Sequence, residues 1–241
     1  MSSAPLLLND DGTASVATFL LMSHHGLRRD LARFGAALAG PAKGATLLAP
    51  SAAQALDEEW QKYRATLHGH HQAEDTGLFP HLLSQHAELA PIIERLTAEH
   101  HLIDPLLVRG DRAFSDLARS VAPAAPPAAA AAGIIAELSR LLHDHLAFEE
   151  EHAVPHMRSM KGFPPPATDA EVEMFAQGFA WSYHGVAGDV LAQVDAALPP
   201  VLTAKLPAAR AAFDDRCRRV WGPTAPGASR TAMPDWMVSG G

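Results

Sequence analysis

Cysteine is nearly absent from this chain of 241 residues, which has a single one at position 217. One cysteine cannot form an internal disulfide, and it cannot supply the thiolates of a sulfur-bound metal site. Aromatic residues are also scarce, at 6% with two tyrosines, and the many alanines favour helices over strands. The composition therefore predicts an all-α protein in which any metal is held by nitrogen and oxygen atoms.

Excess positive charge and long apolar runs are missing as well. The formal net charge is -8, which is unfavourable for a nucleic-acid-binding surface. No apolar run approaches the roughly 20 residues that span a bilayer. The opening segment MSSAPLLLNDDG has no basic region followed by a long apolar one. We therefore expect a cytoplasmic protein that binds neither nucleic acid nor membrane.

Four long helical patterns fill the first two thirds of the chain. They cover the following residues: 13–39, 51–78, from about 90 to the low-complexity stretch VAPAAPPAAAAAG, and 134–154. Pro80 and Pro155 should end the second and the fourth, because proline has no backbone N–H to donate within a helix. Pro105 should kink the third for the same reason. Four long helices with modest connections predict an antiparallel bundle.

Two further helices are predicted after the proline-rich linker KGFPPPATD. Thr168 or Asp169 can cap the first, which covers residues 170–197, and the second covers residues 201–220. The glycine- and proline-rich end of the chain predicts no regular structure. The expected organisation is listed by residues: a bundle domain at 13–160, a helical extension at 161–222 and an irregular tail at 223–241.

A pattern of 14 residues occurs twice, 75 residues apart. HGHHQAEDTGLFPH begins at His68 and HDHLAFEEEHAVPH begins at His143, and they align without a gap. The alignment gives these pairs within two H-x-x-x-E motifs: His70 with His145 and Glu74 with Glu149. A double histidine stands upstream of each copy, beginning at His24 and at His100. The chain thus has the pattern of two helix pairs related by a pseudo-twofold axis.

Helical phase places four histidines and two glutamates on the apolar faces of these helices. Residues three and four apart share a face, so each apolar stripe carries one histidine, and two stripes add a glutamate one turn later. The inward set is His24, His70, Glu74, His100, His145 and Glu149. Burying six ionisable groups without compensation is costly, which predicts a metal site. Imidazole mixed with carboxylate favours iron, with manganese or zinc as less favoured alternatives.

The combination of these motifs resembles the hemerythrin-like HHE cation-binding family. H-H-x-x-E-D-x-x-L-F-P follows H-x-x-L-R-R-D-L and precedes E-H and a second H-x-x-x-E, within roughly residues 15–160. The resemblance implies an up-down-up-down four-helix bundle that holds two iron ions bridged by an oxo or hydroxo group. It also implies that His24, His70, His100 and His145 are terminal ligands. Glu74 and Glu149 would be the bridging carboxylates.

The third helix departs from the oxygen-carrying hemerythrins. These proteins have a second histidine one turn after the first, where this chain has Asp104. Their fourth helix has an aspartate five residues after its histidine, whereas Glu149 follows His145 by four. Fewer nitrogen donors imply an exchangeable position on iron, which favours reaction with dioxygen, peroxide or related species over reversible carriage.

Three functions agree with this pattern. The first is an oxidoreductase that acts on dioxygen, peroxide or related species. The second is a sensor or storage module that binds oxygen or iron without turnover, and the third is an oxygenase acting on a small organic substrate. A homodimer is an open alternative. Three more residues are candidates for contact with the metal or its ligands: Tyr63, two turns before His70 on the same face, Asp104, and His152, which continues the fourth stripe.

Overall fold

The computed structural model describes residues 7–44, 46, 48–120, 125–160, 166–186 and 188–222, which form helices and the turns and loops between them. Within these ranges there is no strand, which confirms the all-α prediction. The α-helices are α1 (Val16–Ala42), α2 (Pro50–Ala73), α3 (Phe79–Gln85), α4 (Ala90–Arg119), α5 (Ala125–His152), α6 (Val154–Met157), α7 (Asp169–Tyr183), α8 (Gly188–Ala196), α9 (Pro200–Thr203) and α10 (Leu206–Trp221). Across the same ranges, no helix has the length and apolarity that crossing a membrane requires.

Proline does not end the second helical pattern. The chain passes from α2 through a π-helical turn at Glu74–Leu78 into α3, where Pro80 is the second residue. The N–H of Phe79 bonds to the carbonyl of Glu74, five residues earlier, so the wide turn carries the backbone past a residue that donates nothing. The predicted end at Pro80 is therefore wrong. Pro105 likewise lies inside α4, which runs without interruption.

The other helix boundaries also shift. α5 begins at Ala125, nine residues before the predicted start, because the alanine-rich stretch is itself a strong helix former. It ends at His152, and Pro155 lies within α6. The helix predicted over residues 170–197 is divided between α7 and α8, with Gly185 at a φ of 97° between them.

The C-terminal extension contains α7 to α10, so the prediction of two helices there is wrong. Thr168 caps α7, as predicted: its side chain accepts from the N–H of Glu171, whose carboxylate accepts from the N–H of Thr168. Residues 161–165 of the predicted linker and the predicted tail at 223–241 lie outside the described residues.

The chain forms two compact units, and the boundaries between them fall within α1 and α5. The central unit is residues 30–149. The terminal unit is residues 1–29 together with 150–241. The predicted domain boundaries near residues 160 and 222 concern which segments fold independently, and they stay predictions.

In the central unit, α2 packs along α4 around an aromatic cluster. Trp60 of α2 lies parallel to Phe114 of α4, with 4.8 Å between ring centroids, and Phe34 meets Trp60 edge-on at 6.1 Å. Gly110 makes this approach possible, because a Cβ atom there would lie 2.0 Å from the Trp60 ring. Close packing of the two helices places their histidines side by side.

In the terminal unit, α7 and α10 pack together, and each contacts the first half of α1, through Trp181 and Phe213 respectively. The ring of Trp181 covers Gly26, where a Cβ atom would lie 2.6 Å from the indole. Arg29 is 3% exposed and donates to the carbonyl oxygens of Trp181 and His184, at 2.8 and 3.0 Å. These bonds cap the C-terminal end of α7, where the last carbonyls of a helix lack the usual N–H partner four residues later. The C-terminal helices are therefore held to α1 by specific contacts.

Candidate metal centre

The π-helical turn that follows α2 supplies two adjacent acidic residues to the interior of the central unit. Glu74 is 2% exposed, and the next residue, Asp75, is hydrogen-bonded to His100 of α4. Adjacent side chains on a regular α-helix point about 100° apart and so rarely serve one site. A π-helical turn changes this spacing, and such turns are frequent at functional sites.

Three buried histidines from three helices form the first set of donors, which we call the histidine group. It consists of His71 of α2, His100 of α4 and His145 of α5, which are 3%, 2% and 1% exposed. One ligand nitrogen from each lies within 4.8 Å of the others. The ring of His71 stacks on that of His100 at 4.0 Å between centroids, and His145 meets His100 edge-on at 4.9 Å. This spacing suits a single cation held by three imidazoles.

The second set of donors in the central unit, the carboxylate group, consists of His70, Glu74 and Glu149. Their ligand atoms also lie within 4.8 Å of one another. Glu74 Oε1 is 3.0 Å from Nε2 of His70, and Glu74 Oε2 is 3.4 Å from Nε2 of His100. One oxygen of Glu74 therefore faces each group. A carboxylate in this position can bridge two neighbouring cations.

Outer carboxylates fix the rings of two members of the histidine group. Nδ1 of His100 lies 3.0 Å from both oxygens of Asp75, and Nδ1 of His145 lies 3.0 Å from Glu99. Arg95 in turn donates to Glu99 at 2.8 Å. Burial acts to raise the pKa of Glu99, but the hydrogen bonds from Arg95 and His145 outweigh it and lower the pKa. A carboxylate that is hydrogen-bonded to Nδ1 directs Nε2 of each ring toward the other donors of the histidine group.

Burial also favours the neutral form of two members of the histidine group, His71 and His145. It lowers the pKa of His71 to about 2, and the neighbouring imidazoles, His100 first, add to this effect. Burial lowers the pKa of His145 as well, although Glu149 and the hydrogen bond to Glu99 act against it. Both rings are therefore neutral at pH 7, which is the form of imidazole that binds a cation.

His24 lies in the terminal unit and has an outer carboxylate of its own. Its Nδ1 is 2.9 Å from Glu150, which also accepts two hydrogen bonds from Arg28, at 2.5 and 3.1 Å. Burial acts to raise the pKa of Glu150, but these partners lower it. Glu150 and Asp75 occupy the same position in the repeated pattern. Each is bonded to the first histidine of a double-histidine pair.

The three further candidates do not belong to either donor group. Tyr63 is 4% exposed and lies 6.0 Å from the ring of Phe34, and its hydroxyl has no hydrogen-bond partner among the described residues. Burial and the nearby carboxylate of Asp30 raise the pKa of this phenol. Asp104 is half-buried on α4. The side chain of His152 is 36% exposed, with Glu151 at 4.0 Å.

Sequence reasoning missed His71 and the outer carboxylates. His71 follows Leu67 by four residues, so it continues the buried stripe of α2 as well as His70 does, and a choice between them needs the tertiary packing. Asp75 and Glu150 had a usable signal, because both acidic residues of each copy are repeated. No sequence signal marks Glu99, since a glutamate before a double histidine is expected to be solvent-exposed.

The donor atoms of the histidine group fit a cation. Both ring nitrogens of His71 and Nε2 of His145 have no hydrogen-bond partner among the described residues. Each buried polar atom left without a partner costs about 1–3 kcal/mol, which a bound cation would offset. Imidazoles and carboxylates without thiolates suit iron, manganese or zinc.

Comparison with known proteins identifies the family. The model of the Hemerythrin HHE cation binding domain matches residues 15–157, which is more than half of the chain. No curated protein and no solved structure matched. The family domain binds metal cations, in agreement with the buried histidine and carboxylate donors described above. The chain therefore belongs to the hemerythrin HHE cation-binding family.

Proposed function

We propose that this protein is a non-haem diiron oxidoreductase that reacts with dioxygen, peroxide or related reactive species. Glu74 and Glu149 would bridge the two iron ions through their carboxylates, and an oxo or hydroxo group would complete the bridge. The proposal includes an up-down-up-down bundle, a cytoplasmic setting and no nucleic acid or membrane partner. A homodimer is compatible with it.

The observation that carries this proposal is the position of Glu74. Its two carboxylate oxygens lie 3.0 Å from His70 Nε2 and 3.4 Å from His100 Nε2, so this member of the carboxylate group also faces the histidine group. Two donor groups connected through one carboxylate support a pair of ions in preference to one. Glu149, at 0% exposure, is the equivalent residue in the second copy of the pattern.

The residues around the donors have separate tasks. Asp75 and Glu99 hold the rings of His100 and His145, so that these ligands need no reorganisation on binding. His24 is proposed as a further ligand on the strength of the repeat, since it is the counterpart of His100 and is itself oriented by an outer carboxylate.

When bound, two ferrous ions supply the two electrons that convert one hydrogen peroxide and two protons to two waters. The chain's own contribution is a dry site, because the donors of both groups are almost fully buried. Exclusion of water strengthens electrostatic interactions and limits the side reactions of reactive oxygen species. Burial of Glu74 and Glu149 would also place two anionic ligands beside the ions, and buried negative charge favours the ferric form over the ferrous form.

An oxygenase for a small organic substrate is a second candidate. The observation that favours it is an aromatic cluster in the terminal unit, where the ring centroid of Phe179 lies 5.6 Å from that of Phe19 and 5.5 Å from that of Tyr183. Phe19 precedes His24 on α1 by five residues. Aromatic side chains in this arrangement can hold an apolar substrate.

Iron loading tests the proposal. The purified protein is loaded with ferrous iron without oxygen, desalted and analysed for metal, and about two ions per chain are expected from the two donor groups. The reduced protein is then mixed with peroxide, whose loss is followed together with the near-ultraviolet absorption. We expect peroxide to be consumed as the irons are oxidised.

Three results would contradict the proposal. One ion per chain, or a clear preference for zinc over iron, would exclude the diiron centre. Full return of the reduced spectrum over repeated cycles of oxygenation and deoxygenation, without peroxide loss, would favour the sensor or storage module. Oxidation of the irons that needs an added organic compound would favour the oxygenase.

A further inference from the structure

His71 differs from the two histidines beside it in what holds its ring. Nδ1 of His100 is bonded to Asp75, and Nδ1 of His145 is bonded to Glu99. His71 is equally buried, at 3% exposure, but neither of its ring nitrogens has a hydrogen-bond partner among the described residues. A buried histidine of this kind is unusual, because buried polar groups are nearly always paired.

Packing alone orients the ring of His71. It lies nearly parallel to His100, with 13° between the ring planes and 4.0 Å between centroids, and it meets His145 edge-on at 5.6 Å. Ring stacking fixes the plane of an imidazole less strictly than a charged hydrogen bond does, because it has no single preferred direction within the plane. The ring can therefore turn without breaking a hydrogen bond.

The lack of an outer carboxylate makes His71 the weakest donor of the histidine group. A carboxylate on the second ring nitrogen raises the basicity of a histidine ligand and holds it in place, and its loss typically weakens metal binding by roughly 10–100-fold. When His71 binds a cation through one nitrogen, its other N–H remains buried without an acceptor. His100 and His145 have no such disadvantage.

We infer that His71 is a metal ligand from α2 that the chain supplies in place of a second histidine on α4, and that it is the exchangeable ligand of the centre. Its ring moves aside when a small anion such as azide or peroxide binds at the same ion. The inference deepens the proposed function and rests on it. The exchangeable position is then the one that His71 occupies, and not a position left open because Asp104 replaces a histidine.

Azide binding by matched variants tests this inference. His71→Leu is the main variant, because the equivalent residue of the second copy is Leu146, which is fully buried. His100→Leu removes an anchored histidine of the same group. His68→Leu removes an exposed histidine one turn earlier on α2. Each is loaded with iron without oxygen, desalted, analysed for metal, oxidised and titrated with azide while the optical spectrum is recorded.

We expect His71→Leu to lose less iron than His100→Leu and to bind azide roughly tenfold more tightly than the wild type, because no imidazole competes for the position. His100→Leu should lose at least one ion, and His68→Leu should match the wild type in both measurements. His71→Gln, which keeps a polar side chain of similar length, repeats the comparison and covers the case in which the leucine variant does not fold.

Two outcomes would overturn the inference alone. Loss of iron from His71→Leu as complete as from His100→Leu would show that His71 is a firmly held ligand. An unchanged ferric spectrum and azide affinity in both His71 variants would show that it is no ligand. A wild-type protein that retains no iron would overturn the proposed function together with the inference.

Discussion

The two copies of the repeated pattern have the same acidic residues on different backbones. The first leaves the α-helical path at Glu74–Leu78, in a π-helical turn, whereas the second stays in α5 as far as His152. In both copies the second acidic residue hydrogen-bonds to a histidine: Asp75 to His100 and Glu150 to His24. The pairing of an outer carboxylate with a histidine is thus the same on either backbone.

The copies differ in the residue that follows the first histidine of the H-x-x-x-E motif. The first copy has His71, a member of the histidine group, and the second has Leu146, which is buried and apolar. A sequence with internal symmetry therefore produces an asymmetric set of donors. The first copy contributes an additional nitrogen, and the second contributes only packing at the equivalent position.

Removing the inner carboxylate of each copy should have the largest effect. Glu74→Ala should lower the iron content from about two ions per chain to fewer than about one, because Glu74 faces both donor groups. Glu149→Ala should also lose iron, to a smaller extent. Metal analysis after anaerobic loading measures both, with Glu94→Ala, an exposed residue of α4, as the control. Full loading of Glu74→Ala would mean that this carboxylate does not bridge the ions.

Removing the outer carboxylates should have the next largest effect. Glu150→Ala and Asp75→Ala should each weaken iron binding by roughly 10–100-fold, since the partner histidine loses its orientation. The loss of iron affinity should be larger for Glu150→Ala than for Asp75→Ala. Glu150 is 5% exposed and pairs with Arg28, whereas Asp75 is 31% exposed. Competition with a chelator measures the affinities.

The conservative variants Glu150→Gln and Asp75→Asn retain an acceptor oxygen and should recover part of the affinity. Equal losses for the alanine and amide variants would show that charge, and not orientation, is what the outer residues supply. A larger loss for Asp75 than for Glu150 would reverse the order of burial and contradict the physical basis of this comparison.

The helices were predictable from the sequence to the extent that their apolar periodicity is strong. The apolar pattern predicted the ends of α1, α2 and α4 to within a few residues, but it did not predict the π-helical turn. Pro80 reads as a helix end, and only the contacts of the buried Phe79 and Leu82 favour continuing past it. The alanine-rich segment around Ala125 has no apolar periodicity, so the start of α5 could not be predicted from the pattern either.

The donors were predictable where a motif repeats them and unpredictable where packing selects among neighbours. Helical phase placed Glu74, His100, His145 and Glu149 inside, and these residues are 2%, 2%, 1% and 0% exposed. It could not choose between His70 and His71, because spacings of three and four are equally helical. Tertiary packing of α2 against α4 buries His71 and leaves His70 partly exposed, and it decides which group each one joins.

The metal-free protein should lose stability in mild acid because of His71. Its folded-state pKa is about 2, below the unfolded value of 6.5, so the unfolded state binds more protons at every pH between these values. The contribution of neutral His71 to the free energy of unfolding is complete above pH 6.5. It falls by about 1.4 kcal/mol per pH unit as the pH is lowered below that value. Urea unfolding of the metal-free wild type and His71→Leu from pH 7.5 to 5 measures it. The leucine variant should have the flatter profile, and equal slopes would exclude His71 as the cause.

The smallest predicted effect concerns the π-helical turn itself. Gly77 is exposed within the turn, is not at a positive φ, and has nothing within 4 Å of an added Cβ atom. Gly77→Ala should therefore stabilise the protein by about 0.5–1 kcal/mol through the loss of backbone freedom in the unfolded chain. Gly110→Ala, which drives a Cβ atom into Trp60, should destabilise it by about 1–3 kcal/mol. Thermal unfolding compares the two. A loss of stability in Gly77→Ala would show that the turn depends on glycine at this position, and that the first copy needs a backbone freedom which the second, with His152 there, does without.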